Sequence, residues 1–185
     1  MLPSFETQRL LVRPRQIGDL NACLAMDRDA AVLRYIDVPW RDPEAHRLFV
    51  IDRITRAYPA GLGYWSVVLE RVPAAFVGWV LLIPYDAVGP EVEIGWRFLR
   101  SAWGQGFATE ASLPVLRHGF ETVALPRVVA DIHPANAASL RVAEKLGMRY
   151  VGDRKIRGKM LRSYALDREE YFNRRQTAED GEQHR

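Results

Sequence analysis

The chain has one cysteine, Cys23, in 185 residues, which excludes an internal disulfide and a cysteine-rich zinc site and fits a reducing cytoplasm. Histidine is scarce, with four in all, and nothing in their placement suggests a metal centre. No run of about 18 apolar residues exists to span a bilayer. The opening Met1-Leu2-Pro3-Ser4-Phe5-Glu6 lacks the basic and apolar regions of an export signal. A cytoplasmic protein without a membrane partner is therefore expected. Lysine is rare as well: nearly all of the 26 cationic residues are arginine, against 23 acidic ones. The net charge of +3 makes the surface mildly receptive to anions. There is no internal repeat and no interdomain linker.

With 48% hydrophobic and 26% charged residues, the chain suits one globular domain. That domain is expected over residues 1–175. Residues 176–185 are too poor in apolar side chains to fold and are expected to form a disordered tail.

The most informative stretch is Trp103-Gly104-Gln105-Gly106-Phe107-Ala108-Thr109-Glu110-Ala111. Before it, Val92, Ile94, Trp96 and Phe98 alternate with Glu93, Gly95 and Arg97, the period of a strand with one buried face. After it, Leu113, Leu116 and Phe120 recur at helical spacing. Strand, small-residue turn and helix start near Gly106 together make an anion site. The first amides of a helix lack internal partners and sit at the positive end of its dipole. Gly104, Gly106 and Ala108 leave the backbone open to a phosphate. No Gly-Lys-Ser/Thr follows, so this is not a P-loop, and the third glycine of the dinucleotide fingerprint is missing. An unliganded tight turn is the alternative on these residues alone.

Around this turn the sequence predicts strands over Arg9–Pro14, Tyr64–Leu69, Ala75–Ile83, Val92–Leu99, Val128–Ile132, Tyr150–Arg157 and Met160–Leu166. Helices are expected over Ile17–Asp27, Pro43–Tyr58 on a Leu48, Ile51, Ile54 and Tyr58 face, the central segment, and Asn136–Lys145 stopped by Gly147. A helical turn is expected near Ala31–Tyr35, with another turn or two after Asp167. Pro114 lies inside the central helix, where a kink or local distortion is expected. Cys23 sits on an apolar helical face and reads as a small core residue. The basic run Arg154, Lys155, Arg157, Lys159 and Arg162 reads as a solvated strand pair, so nucleic acid is not the expected partner.

The turn resembles the Gln/Arg-x-x-Gly-x-Gly/Ala motif of the GNAT acetyltransferases, with Trp103 standing where that family usually has Gln or Arg. Thr7-Gln8-Arg9-Leu10-Leu11-Val12-Arg13-Pro14, Val92-Glu93-Ile94-Gly95-Trp96, Asn136-x-x-Ser139 and Glu144-Lys145-Leu146-Gly147-Met148 follow in the family's order. The wording is similar to the RimJ/RimL branch, which acetylates ribosomal-protein N-termini. The resemblance implies a single-domain α/β GNAT fold, with a mixed, mostly antiparallel twisted sheet of about six or seven strands flanked by helices. The fourth and fifth strands would be splayed. It also implies acetyl-CoA as cosubstrate, no metal, and transfer to a primary amine by direct attack in a ternary complex. The acceptor would be a small molecule or a peptide N-terminus, ribosomal proteins among the candidates, and the enzyme a monomer or homodimer.

Carried over by position, the resemblance implies that Gly104, Gln105, Gly106, Phe107, Ala108 and Thr109 hold the pyrophosphate. Trp96, Phe98 and Leu99 would offer a strand edge to the pantetheine, with Asn136 contacting it. Glu93 is the candidate base, or a rim carboxylate, with Glu91 in reserve. Ser139 or water would protonate the leaving thiolate, because the family's usual tyrosine position is Ala143. Trp40, Tyr64 and Trp65 either border the acceptor groove or belong to the core. A non-catalytic acyl-CoA sensor or nucleic-acid-binding module on the same fold is the rival reading.

Overall fold

The computed structural model describes residues 2–36, 42–69 and 75–183. Its centre is an eight-stranded sheet in the order β1-β2-β3-β4-β5-β6-β8-β7. The strands are β1 (Phe5–Glu6), β2 (Leu10–Pro14), β3 (Gly63–Leu69), β4 (Phe76–Pro84), β5 (Val92–Phe98), β6 (Arg127–Ile132), β7 (Arg149–Ile156) and β8 (Lys159–Asp167). Neighbours are antiparallel except β5 and β6, which are parallel. The mixed, mostly antiparallel sheet is as the sequence predicts. The eighth strand is the two-residue β1, too short for a periodic signal.

The α-helices are α1 (Leu20–Met26), α2 (Ala30–Leu33), α3 (Pro43–Thr55), α4 (Phe107–Glu121), α5 (Ala137–Lys145) and α6 (Arg168–Gln183). On one side of the sheet, Trp65, Val67, Val80, Leu82, Ile94 and Phe98 pack against Phe107, Ala111, Val115, Leu116 and Phe120 of α4. On the other, Trp79, Leu81 and Ile83 pack against Leu20, Cys23 and Met26 of α1 and Val50 of α3. Strand β4 is thus covered on both faces, which explains its unbroken apolar run. Cys23 is core, as expected, and burial pushes its thiol up to about 11.

Local chemistry explains the element ends. Asp42 caps α3 by accepting from the amides of Glu44 and Ala45, with Pro43 in the first turn. Asn136 caps α5 through the Ser139 amide. Gly147, at φ 81°, ends α5 with its amide on the Glu144 carbonyl. Arg157 and Gly158, at φ 48° and 83°, form the two-residue turn between β7 and β8.

Several expectations are corrected. Helix α3 stops at Thr55 and buries His46 and Val50, while Leu48 is exposed. Leu113 is also exposed, so α4 turns Ala111, Val115, Leu116 and Phe120 inward instead. Helix α4 runs unbroken through Pro114. Helix α6 is longer than the turn or two expected after Asp167, running to Gln183. The basic hairpin is partly neutralised: Arg154 pairs with Glu91 at 2.8 Å and Arg157 with Asp86 at 2.8 Å. Among the described residues, no helix is long and apolar enough to cross a membrane.

Gly78 is where β4 passes under β5. A Cβ added there would lie 2.4 Å from the Arg97 carbonyl oxygen and 2.7 Å from the Phe98 ring. Gly78→Ala should therefore destabilise the fold by about 1–3 kcal/mol, the cost of overpacking. Gly18→Ala, whose methyl would meet nothing within 4 Å, should leave the urea midpoint nearly unchanged. Equal midpoints for the two variants would refute this view of the β4–β5 contact.

Candidate functional site

Strands β5 and β6 share one registered pair, Glu93 with Val129. Beyond it they diverge, so the C-terminal half of β5 has β4 on one side and no strand on the other. The Leu99 amide donates to the Val77 carbonyl at 2.9 Å. Because antiparallel hydrogen bonds alternate along a strand, the odd-numbered amides of β5 serve β4, and those of Trp96 and Phe98 face the opening. Trp96 and Phe98 are thus the edge residues expected, whereas Leu99 spends its amide inside the sheet. The Phe98 side chain is buried and offers only its backbone.

At the end of this edge the chain turns through Gly104 and Gly106, both left-handed at φ 74° and 79°, into α4. The first intrahelical bond runs from the Glu110 amide to the Gly106 carbonyl, 3.0 Å, and no side chain caps the helix. The amides of Phe107, Ala108 and Thr109 therefore lack helical partners. A Cβ at Gly104 would meet nothing within 4 Å, so the approach is open. Phe107 sends its ring into the core, and Gln105 donates to the Ser101 carbonyl at 2.8 Å. Trp103, half-exposed, donates its indole N–H to the Phe98 carbonyl at 2.9 Å. It pins the turn to the strand rather than offering a charge.

Arg9 is a residue that sequence reasoning passed over. Its guanidinium lies 4.5 Å from the Phe107 ring centroid and pairs with Glu110 at 2.5 Å. Glu110 also accepts from Thr7 at 2.7 Å. These contacts lower the Glu110 carboxyl despite its partial burial, and they fix the helix start against the sheet.

Across the splay, the Trp96 indole donates to Ser139 Oγ at 3.3 Å, while the Ser139 amide donates to Asn136 Oδ1 at 3.2 Å. Ser139 Oγ thus accepts from Trp96 and keeps its own proton to give. Ala143 is fully buried. His133 stacks on Tyr35 at 5.0 Å and accepts from the Ala135 amide at 3.1 Å, a structural role in the turn before α5.

Glu93 lies on the α1–α3 face, paired across β4 with Ile83. Burial raises its carboxyl to about 7, and the negative charges of Asp86 and Asp131 add to that. The Asp86 backbone amide and the Arg53 guanidinium pull the other way. Asp131, two residues beyond Glu93's partner Val129, is a nearly buried carboxylate that sequence reasoning also missed. It accepts from Tyr85 Oη at 2.5 Å and from Ser163 Oγ, with Arg154 at 3.6 Å. Nothing in the local pattern distinguishes Asp131, because its partners come from distant segments. Glu91, the candidate in reserve, pairs with Arg154 at 2.8 Å.

Of the aromatic trio, Trp65 is core: it is fully buried and donates to the Pro3 carbonyl at 2.8 Å. Its register on β3 turns it toward α4, away from Glu93. Tyr64 points to the Glu93 face, against Tyr58 at 5.9 Å and Trp79 at 5.5 Å. Trp40 lies outside the described residues. Among those residues no cluster of His, Cys, Asp and Glu could hold a metal ion. A shallow hollow lined by Ala124, Pro126, Asp167 and Phe172 lies at the opposite end of β6, away from the splay.

The acetyltransferase (GNAT) domain model matches residues 9–149. The Bacillus subtilis protein named uncharacterized N-acetyltransferase YnaD is 31% identical over 146 residues, 79% of this chain and 82% of that protein. YkkB of the same bacterium, named as uncharacterized, is 37% identical over 91 residues; the match spans 49% of this chain and about half, 52%, of YkkB. The crystal structure of a GNAT-family acetyltransferase from Bacillus anthracis superposes with a TM-score of 0.75 at 29% identity, covering 90% of this chain and 99% of that one. The family match runs from the second strand, across the splay and the uncapped helix, into the closing hairpin, and on that ground this chain is a member of the GNAT acetyltransferase family.

Proposed function

We propose that the chain transfers an acetyl group from acetyl-CoA to a primary amine, a protein N-terminus or a small molecule, by direct attack within a ternary complex. The observation that carries this reading is a half-open strand edge on β5 with an uncapped helix start following its far end and a carboxyl raised to about 7 at its near end, where β5 and β6 make their one registered pair. The residues fit the cosubstrate. Gly104 leaves an open cradle, and the amides of Phe107, Ala108 and Thr109 suit a pyrophosphate. The amides of Trp96 and Phe98 suit the pantetheine arm, with Asn136 alongside. Bound there, acetyl-CoA supplies an activated acyl thioester.

The chain's own residues then handle protons and charge. Glu93 takes a proton from the acceptor ammonium, directly or through water; a base that titrates near 7 does this best near neutral pH. Edge amides of β5 face the carbonyl and favour negative charge on its oxygen. Ser139, held by Trp96 and Asn136, gives its proton to the departing sulfur. The RimJ/RimL-like wording of the turn supports a protein N-terminus as one acceptor, with ribosomal proteins as candidates. Fold alone does not choose among acceptors.

Glu93→Gln should lower kcat about 10²- to 10⁴-fold, the usual worth of a positioned base. It should also remove a rise in kcat/KM through about pH 7, where Glu93 loses its proton. The same ionisation makes a stability prediction. The folded-state value lies above the ordinary carboxyl range, so the wild type should lose stability relative to Glu93→Gln as pH rises toward and through 7. Unchanged turnover from pH 6 to 9 would dismiss Glu93 as base. Coenzyme A should raise the melting temperature, and acetyl-CoA with a panel of amines should release thiol. Stabilisation without release for any acceptor would favour the acyl-CoA sensor, and salt-sensitive RNA binding alone would favour the nucleic-acid module.

A further inference from the structure

The face that carries Glu93 also carries two arginines whose guanidiniums hold buried nitrogens without hydrogen-bond partners. Arg15, just past β2, lays its guanidinium 3.8 Å from the Tyr64 ring centroid and 5.9 Å from that of Trp79. Arg53, in the last turn of α3, lies 5.0 Å from the Phe49 centroid. Its charge acts on Tyr64 and on Glu93, so it lies within electrostatic reach of both. Among the described residues, seven buried side-chain polar atoms lack a hydrogen-bond partner, and five belong here: Arg15 Nε and Nη2, Arg53 Nε and Nη1, and Tyr58 Oη. The Tyr58 hydroxyl adjoins Arg53 without reaching hydrogen-bond geometry.

This is costly. More than nine in ten buried polar groups find a partner, and a buried charged donor left unpaired costs more than a neutral one. Two such guanidiniums share one site. The fold's own carboxylates nearby are committed elsewhere. Asp19 accepts from Arg13 at 2.7 Å and from Ser66 at 2.7 Å. Asp27 is held by Arg97 at 2.6 Å and His46 at 3.1 Å, and Asp52 by Arg56 at 2.8 Å. Asp86 is held by Arg157, and Asp131 by Tyr85 and Ser163, which leaves Glu93 among the described acidic groups near these arginines. What would satisfy the five atoms is a small planar anion that takes forked donors, and a carboxylate has that shape.

Resting on the acetyl-transfer reading above, we infer that the acceptor is of amino-acid type, a primary amine bearing a carboxylate that Arg15 and Arg53 hold beside Tyr64 while the amine reaches Glu93. Phe49, Tyr58, Tyr64 and Trp79 make the surrounding wall aromatic, so an acceptor with an apolar side chain suits it better than a polar one. The two arginines and Glu93 divide the work by charge: the guanidiniums take the anionic end and the carboxyl takes the ammonium.

The test compares acetyl transfer to L-phenylalanine, L-methionine and L-glutamate with transfer to the carboxamide and the decarboxylated amine of each. At least one free acid should exceed its carboxamide in kcat/KM by about 100-fold, chiefly through KM. Arg15→Gln and Arg53→Gln should each lower kcat/KM for that acid about 10- to 100-fold, the effect of losing charge-assisted hydrogen bonds, with a far smaller change for the carboxamide. Both variants should melt no lower than the wild type, since each removes an unpaired buried charge. Equal turnover of acids and carboxamides overturns the inference, as does an equal loss for both in the variants. The acetyl-transfer reading survives either result. Should none of these amines release thiol, calorimetry with N-acetyl-L-phenylalanine decides: binding that Arg15→Gln abolishes upholds the carboxylate site, and no binding overturns it; the transfer reading fails only if no acceptor of the wider amine and N-terminal peptide panel releases thiol.

Discussion

The proposed site depends on one sheet contact being almost absent. Strands β5 and β6 meet at a single pair and then part, leaving a row of backbone groups that a normal sheet would have used up. Such a gap is unfavourable unless something holds it open. Here α4, entered through the Gly104–Gly106 turn, packs Phe107, Ala111 and Val115 beneath the sheet, and α5 docks on the far side with Leu140 and Ala143 in the same core. The Trp96–Ser139 hydrogen bond crosses the gap itself. Rigid packing on both banks keeps the edge available without letting it close or recruit another strand.

The two faces of the sheet divide the labour. The α4 face is apolar and dense, and Trp65 and Phe120 are fully buried in it. It positions the helix start and supplies the larger part of the core. The α1–α3 face contains charge. Arg13, Asp19 and Ser66 form one closed group; Asp27, His46 and Arg97 form another. The first of these networks is satisfied and the second nearly so, with Arg97 Nε buried without a partner; both lie beside Glu93, whose ionisation is shifted, and beside the unpaired nitrogens of Arg15 and Arg53. A buried polar network that is complete stabilises the fold, and one that is incomplete points to what it lacks.

The unusual turn residue Trp103 fits this picture. Where a cationic or amide side chain is the family's habit, this chain has an indole whose N–H is spent on the Phe98 carbonyl. The positive potential at the turn proposed to hold phosphate then falls to the backbone amides and the α4 dipole, with Arg9 near the helix start, its charge shared with Glu110.

From sequence alone, the alternation of Val92, Ile94, Trp96 and Phe98, the small residues from Gly104 to Ala108 and the cap at Asn136 determined the strand, the anion turn and the helices on either side, because each is a local rule with a short period. Glu93 was legible for the same reason, being the polar alternate of an apolar strand. Other features became visible only in three dimensions. Leu48 and Leu113 turned outward because tertiary packing, not periodicity, decides which apolar stripe is covered. Leu99 lost its place on the open edge because hydrogen-bond phase depends on the partner strand. Trp65 went to the core and Tyr64 to the site because adjacent residues on a strand face opposite ways, and only the docking of α4 says which side is closed. Asp131, Arg15 and Arg53 gained meaning from groups on other segments that folding brings beside them: Tyr85 and Ser163 for Asp131, Tyr64 and Trp79 for Arg15, Glu93 for Arg53. Contacts at such sequence separation leave no periodic trace, so it was tertiary structure alone that decided where this protein keeps its unpaired charge.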